Sequence, residues 1–223
     1  MTPIPLFLIF LVLTLVYLLL FGRNMKKAVG NKKRALEKLA KELGLTVQGG
    51  EKMFPSNNWL GWVRKPFFIL DHWRGRELSI YYFSKGSGKN SSPYSALDIP
   101  LAEIAGMKND FKMTISAVGW MSNIGLMLGR KPIATGDETF DKQFAVKSTK
   151  PDLAQAILLP ELRGKIIGVW EERAVKGIIN VHEGHVHYEE SGNIRTDTHV
   201  RRFAAMAALC HDLADTIDAA CSL

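Results

Sequence analysis

His182-Glu183-Gly184-His185-Val186-His187 gathers three imidazoles within six residues, and imidazole both ligates transition metals and titrates near neutral pH. If Glu183-Gly184 forms a two-residue turn, His182 pairs with His185 and Asn180 with His187, so all three rings project from one face of a hairpin. Ile179, Val181, Val186 and Tyr188 then occupy the other face. Zinc accepts imidazole nitrogen at about 2.0–2.1 Å, and Glu189 lies on the histidine face and can add oxygen. A metal-dependent enzyme built on His182, His185 and His187 is therefore one expectation. Neighbours on a flat hairpin face diverge, however, and metal sites draw a ligand or support from another element. An exposed polar hairpin face is the plainer expectation, and a surface that responds to pH is the third.

Other candidate constellations carry less chemistry. Gly86-Ser87-Gly88-Lys89-Asn90 looks like a phosphate loop, but Phe83 stands where the first glycine belongs and Asn90 where Ser or Thr would bind magnesium, so a flexible hairpin loop is expected. Glu171-Glu172 and Glu189-Glu190 are sequence neighbours, whose side chains diverge in either helix or strand and make poor acid/base partners. Cys210 and Cys221 stand eleven residues apart on one expected helix, about 16 Å by helical rise, too far for a disulfide. No nucleotide fingerprint, zinc-finger spacing or kinase element is present, no Ser/His/Asp nucleophile set can be assigned, and no cofactor is expected.

The strongest physical signal is at the start of the chain. Ile4 to Phe21 is eighteen residues without a charge, fifteen of them Leu, Ile, Phe or Val. A helix of that length spans about 27 Å, close to the hydrocarbon core, with an insertion free energy on the order of −5 kcal/mol. A transmembrane anchor over 1–22 is expected. Met1 to Pro3 carry no side-chain charge, whereas Arg23, Lys26, Lys27, Lys32, Lys33, Arg34, Lys38 and Lys41 follow the run, which puts the N-terminus outside and the body in the cytoplasm. Phe21-Gly22-Arg23-Asn24 offers no small-x-small cleavage site, so the anchor is expected to stay.

Of the 29 basic and 22 acidic side chains, eight and two lie in residues 1–42, so +6 of the net +7 belongs to that segment. The nearly neutral remainder lacks the electrostatic footprint of a nucleic-acid binder. Arg23, Lys26, Lys27, Lys32, Lys33 and Arg34 are instead placed to meet anionic lipid headgroups, at about 1 kcal/mol for each cation near the surface. Two aromatic clusters, Phe54 to Phe68 and Trp120 to Leu128, suit either a core or contact with lipid or a protein partner.

These features must be held by ordinary elements. After a basic linker at 23–30, Asn31 is expected to cap a helix ending at Gly44, with Leu36, Leu39, Ala40 and Leu43 on one face. Period-two alternation predicts strands at Arg76–Phe83, Ser95–Ile99, Phe111–Ser116 and Phe140–Ser148, and Trp62–Trp73 is expected as a further strand, at the edge or bent by Pro66. Helices should follow near Pro151, capped by Ser148 or Thr149, and near Pro160; a hairpin over 177–190 comes next. The stripe Phe203, Met206, Cys210, Leu213, Ala214, Ile217 and Cys221 predicts a long terminal helix. The expected fold is one α+β domain over 31–223, a mainly antiparallel sheet packed by helices, behind a membrane anchor.

Phe140-Asp141-x-x-Phe144-x-Val146-x-Ser148, continuing through Ala154, Ile157, Leu158 and Pro160-Glu161-Leu162-Arg163, resembles a block in a functionally unassigned family of bacterial membrane-anchored proteins. The resemblance covers about residues 135–167. It implies a bacterial membrane setting and an architecture, and transfers no catalytic residue. The expected function is a single-pass, membrane-anchored cytoplasmic binding or scaffolding module, expected to be non-catalytic, whose partners are the bilayer and an unknown protein.

Overall fold

The computed structural model describes residues 14, 15, 17, 30–48, 53–55, 62–64, 68–85, 91–102, 110–118 and 130–222. Most of the expected anchor lies outside them; Thr14, Leu15 and Tyr17 are helical and exposed. Among the described residues, no helix is long and apolar enough to cross a membrane. Arg23, Lys26, Lys27, the loop 86–90 and the Trp120 cluster also lie outside them, as does most of the Phe54 cluster.

The chain forms an α+β fold whose main sheet is antiparallel throughout its described pairs. Its strands are β1 (Val47–Gln48), β4 (Phe68–Trp73), β5 (Arg76–Lys85), β6 (Ser92–Pro100), β7 (Met113–Ala117), β8 (Phe144–Ser148), β9 (Gly177–His182) and β10 (His185–Ser191). Their spatial order is β1-β4-β5-β6-β10-β9-β7-β8. A separate ribbon pairs β2 (Met53–Pro55) with β3 (Trp62–Arg64). The late hairpin β9–β10 thus sits in the middle of the sheet, between β6 and β7.

One face of the sheet carries Ile69, Leu78, Ile80, Leu97, Ile99, Ile115, Val146, Ile179, Val181, Val186 and Tyr188, all buried. Helices pack there because their apolar stripes match it. Helix α1 (30–43) buries Leu36 and Leu39 in the common core, and α5 (Asp197–Cys221) buries Phe203, Met206, Cys210, Leu213 and Ile217. Helices α3 (Pro151–Ile157) and α4 (Pro160–Arg173) join α5 in the same layer, with Trp170 meeting Phe144 edge-on at 5.4 Å. Gly44, at φ +72°, ends α1 in the left-handed conformation that glycine tolerates, and Leu45 N–H returns to the Ala40 carbonyl.

A charged group is built into this core. Glu190 accepts from Arg202 at 2.8 Å and from the Tyr188 hydroxyl at 2.6 Å, and all three residues are buried. Arg202 also reaches the Arg173 and Ala174 carbonyls at the end of α4. At the opposite end of α5, Arg76 pairs with Asp215 and Asp218, while Asp218 accepts from the Ala102 N–H.

Several local expectations are corrected. Phe140–Ser148 is not one strand: α2 (Glu138–Gln143) comes first and β8 begins at Phe144. Asp137 accepts from the Thr139 and Phe140 N–H groups, and the helical turn stacks Phe140 on Phe144 at 4.9 Å, so capping overrides the alternation. Neither Ser148 nor Thr149 caps α3. Ser148 accepts from Lys150 N–H and Thr149 from Lys112 N–H, and Pro151 starts the helix without a side-chain cap. Gly30 is already helical, so Asn31 lies inside α1. Trp62–Trp73 is divided between β3 and β4, which belong to different sheets.

Gly177 marks a tight approach. A Cβ built there would lie 2.2 Å from Cε2 of Tyr188 and 2.5 Å from the Glu189 carbonyl oxygen. Tyr188 cannot yield, because its hydroxyl is held by Glu190 and its ring by Phe203 at 5.5 Å. Gly177→Ala should lower unfolding stability by about 1–3 kcal/mol, the usual cost of overpacking, measured by urea denaturation.

Candidate functional site

The β9–β10 turn forms as its sequence requires. Glu183 and Gly184 both have positive φ, +51° and +77°, the signature of a type I′ turn, and the register pairs His182 with His185 and Asn180 with His187. The three histidines share the sheet face opposite the helices. Because the hairpin lies mid-sheet, that face is continued on both sides by strands far away in sequence.

One register row crosses six strands as Ser79, Asp98, His187, Asn180, Thr114 and Lys147. Thr114 and Asn180 are buried and joined by a 3.0 Å hydrogen bond, and Lys147 is buried at the row's end. Beside His187 a chain of paired polar side chains forms. His187 Nδ1 lies 3.7 Å from Asp98 and its Nε2 3.5 Å from Glu189; His185 Nδ1 lies 3.0 Å from Asp98; and Lys85 pairs with Glu189. The His182 and His187 rings meet edge-on at 6.0 Å.

Burial alone would discharge His187, but the carboxylates of Asp98 and Glu189 outweigh it and raise the pKa to about 9. Glu189 is half-buried too, yet hydrogen bonds from His187 and Lys85 hold it below the usual range. His182 moves the other way: burial, and then the nearby charge of His187, favour its neutral form. The face expected to be simply exposed is therefore half-buried and internally paired, with the His187 side chain only 14% exposed.

The metal expectation meets this arrangement directly. A ligating imidazole must offer a lone pair, and both nitrogens of His187 face carboxylates that favour its protonated form. Among the described residues, no group of three or more His, Cys, Asp or Glu side chains is placed to hold a metal ion. Asp98 and Lys85 escaped the sequence reading. Alternation with Leu97 and Ile99 puts Asp98 on the outer face, but only the β6–β10 register sets it opposite His187.

The basic candidates divide. Lys32 is half-buried with its ammonium over the Tyr82 ring at 5.4 Å, Lys33 lies 3.8 Å from Glu37 on the exposed side of α1, and Arg34 is exposed. No protein-family model matches the chain, and neither a curated protein nor a solved structure matches it.

Two outcomes follow from the histidine face. Raising a histidine's pKa stabilises the fold fully below its unfolded value near 6.5, and that contribution disappears as pH rises through about 9. The stability gap between wild type and His187→Gln should therefore be on the order of 2 kcal/mol near pH 6 and close to nothing above pH 9, read from denaturation at each pH. Protein purified without added metal should hold no stoichiometric zinc by elemental analysis. Near-equimolar metal that is lost in a His182→Gln, His185→Gln, His187→Gln variant would instead establish these residues as ligands.

Proposed function

We propose that the chain is a membrane-anchored binding or scaffolding module. In this reading residues 1–22 span a bacterial inner membrane with the N-terminus outside, and the α+β domain is held at the cytoplasmic leaflet. The observation that carries it is the position of α1. Eight residues separate the apolar run ending at Phe21 from Gly30, where α1 is already helical. From there Leu36 and Leu39 are fully buried in the domain core, while Lys33, Arg34, Lys38 and Lys41 point outward. A domain joined to a bilayer through this helix would carry its cations beside anionic headgroups, where charge attraction adds to the anchor.

The full chain should stay in the membrane pellet after carbonate washing. A C-terminal alkaline phosphatase fusion should be inactive, and a cytoplasmic reporter at the same place active. Release by carbonate would remove the anchor from this reading, and an active phosphatase would reverse its orientation.

A further inference from the structure

A cavity of about 180 Å3 opens between α1 and the start of α5. Arg34 and Lys38 line it from α1, Arg195 from the loop before α5 and Asp197 from its first turn, and the buried residues Ala35 and Val200 lie behind them. Asp197 is already committed to Lys38 at 2.6 Å. Among the described residues, Arg34 and Arg195 have no carboxylate partner, although both face the same opening. Lys32 stands close by, and burial together with the charge of Arg195 holds its ammonium below the usual range.

This crowding of like charge is enforced by the scaffold. The Tyr82 hydroxyl donates to the Ile194 carbonyl at 3.2 Å, Gly192 N–H donates to Pro93, and Ser95 donates to the Gly192 carbonyl. The loop carrying Arg195 is thereby pinned to β5 and β6, while Lys32 rests on the same Tyr82 ring. Arg34 belongs to the basic segment 1–42, whereas the residues beyond 42 are close to charge balance, so Arg195 adds its charge to that segment's surplus at one concavity.

We propose that this cavity binds the phosphate of an anionic phospholipid headgroup, with Arg34 and Arg195 as its principal ligands. Guanidinium groups suit the ligand because their planar forks donate two parallel hydrogen bonds to phosphate oxygens. A lipid is chosen over free phosphate because of reach, a point that rests on the membrane reading above. Arg34 follows Phe21 by thirteen residues, no more than about 45 Å even fully extended, so an anchored domain keeps the cavity near the headgroup layer.

The test uses the full chain in neutral detergent, titrated with phosphatidylglycerol, phosphatidylcholine or inorganic phosphate and followed by native mass spectrometry. Phosphatidylglycerol should bind with a one-to-one component that phosphatidylcholine does not reproduce and that millimolar inorganic phosphate does not displace. Arg34→Gln with Arg195→Gln should weaken that component at least tenfold, with lipid-free melting measured to show that the fold is kept. Lys131→Gln with Lys142→Gln removes the same charge elsewhere and should leave it unchanged. Equal affinity in the arginine variant, an equal loss in the lysine variant, or displacement by inorganic phosphate would each overturn the proposal. A chain that carbonate releases from membranes, yet binds phosphatidylglycerol through both arginines, would sink the anchor and support the site.

Discussion

The Glu190 carboxylate is the constraint around which the centre of the domain is assembled. Removing an ion from water costs several kcal/mol even in a relaxed protein interior, so a buried carboxylate must be met by partners of good geometry. Arg202 and Tyr188 supply them, one from α5 and one from its own strand. Burial and the charge of Glu190 hold the Tyr188 phenol far above its usual range, so it stays a donor. Through Arg202 the same group reaches the last carbonyls of α4, and one ionic cluster joins the central hairpin to two helices.

With the hairpin held there, the two sheet faces acquire different chemistry. The helix side is mainly apolar, with charge at that cluster and, at the other end of α5, where Arg76 meets Asp215 and Asp218. The opposite side carries the row from Ser79 to Lys147 and the chain Lys85, Glu189, His187, Asp98 and His185. Opposite charges alternate from Lys85 through Glu189 and His187 to Asp98, so that stretch satisfies itself and leaves little net field. The cavity between α1 and α5 has the reverse character, since its two arginines are not matched by acids among the described residues. Recognition of an anion is better served by the second arrangement, where no internal partner must first be displaced.

Much of this was legible from the chain alone. Local rules suffice for α5, whose apolar stripe persists over about five turns, and for the β9–β10 hairpin, whose Glu183-Gly184 turn sets its register without help from elsewhere. The strand β5 and the stop at Gly44 are equally local. Where two local rules compete, alternation is the weaker guide: at Phe140 a side-chain cap from Asp137 and the stacking on Phe144 made helix out of an apparent strand.

The amino-acid sequence by itself determined the apolar run and its cationic sequel, the α+β class, and the three imidazoles on one hairpin face, because each depends on composition or on spacings shorter than one element. Only the tertiary structure decided what those groups meet. Asp98 reaches His185 and His187, Lys85 reaches Glu189, and Arg195 stands across a cavity from Arg34, through strand order and helix packing that join residues about 90 to 160 positions apart. Contacts of that range depend on which strand pairs with which, and the period of a strand specifies its buried face without specifying its neighbour.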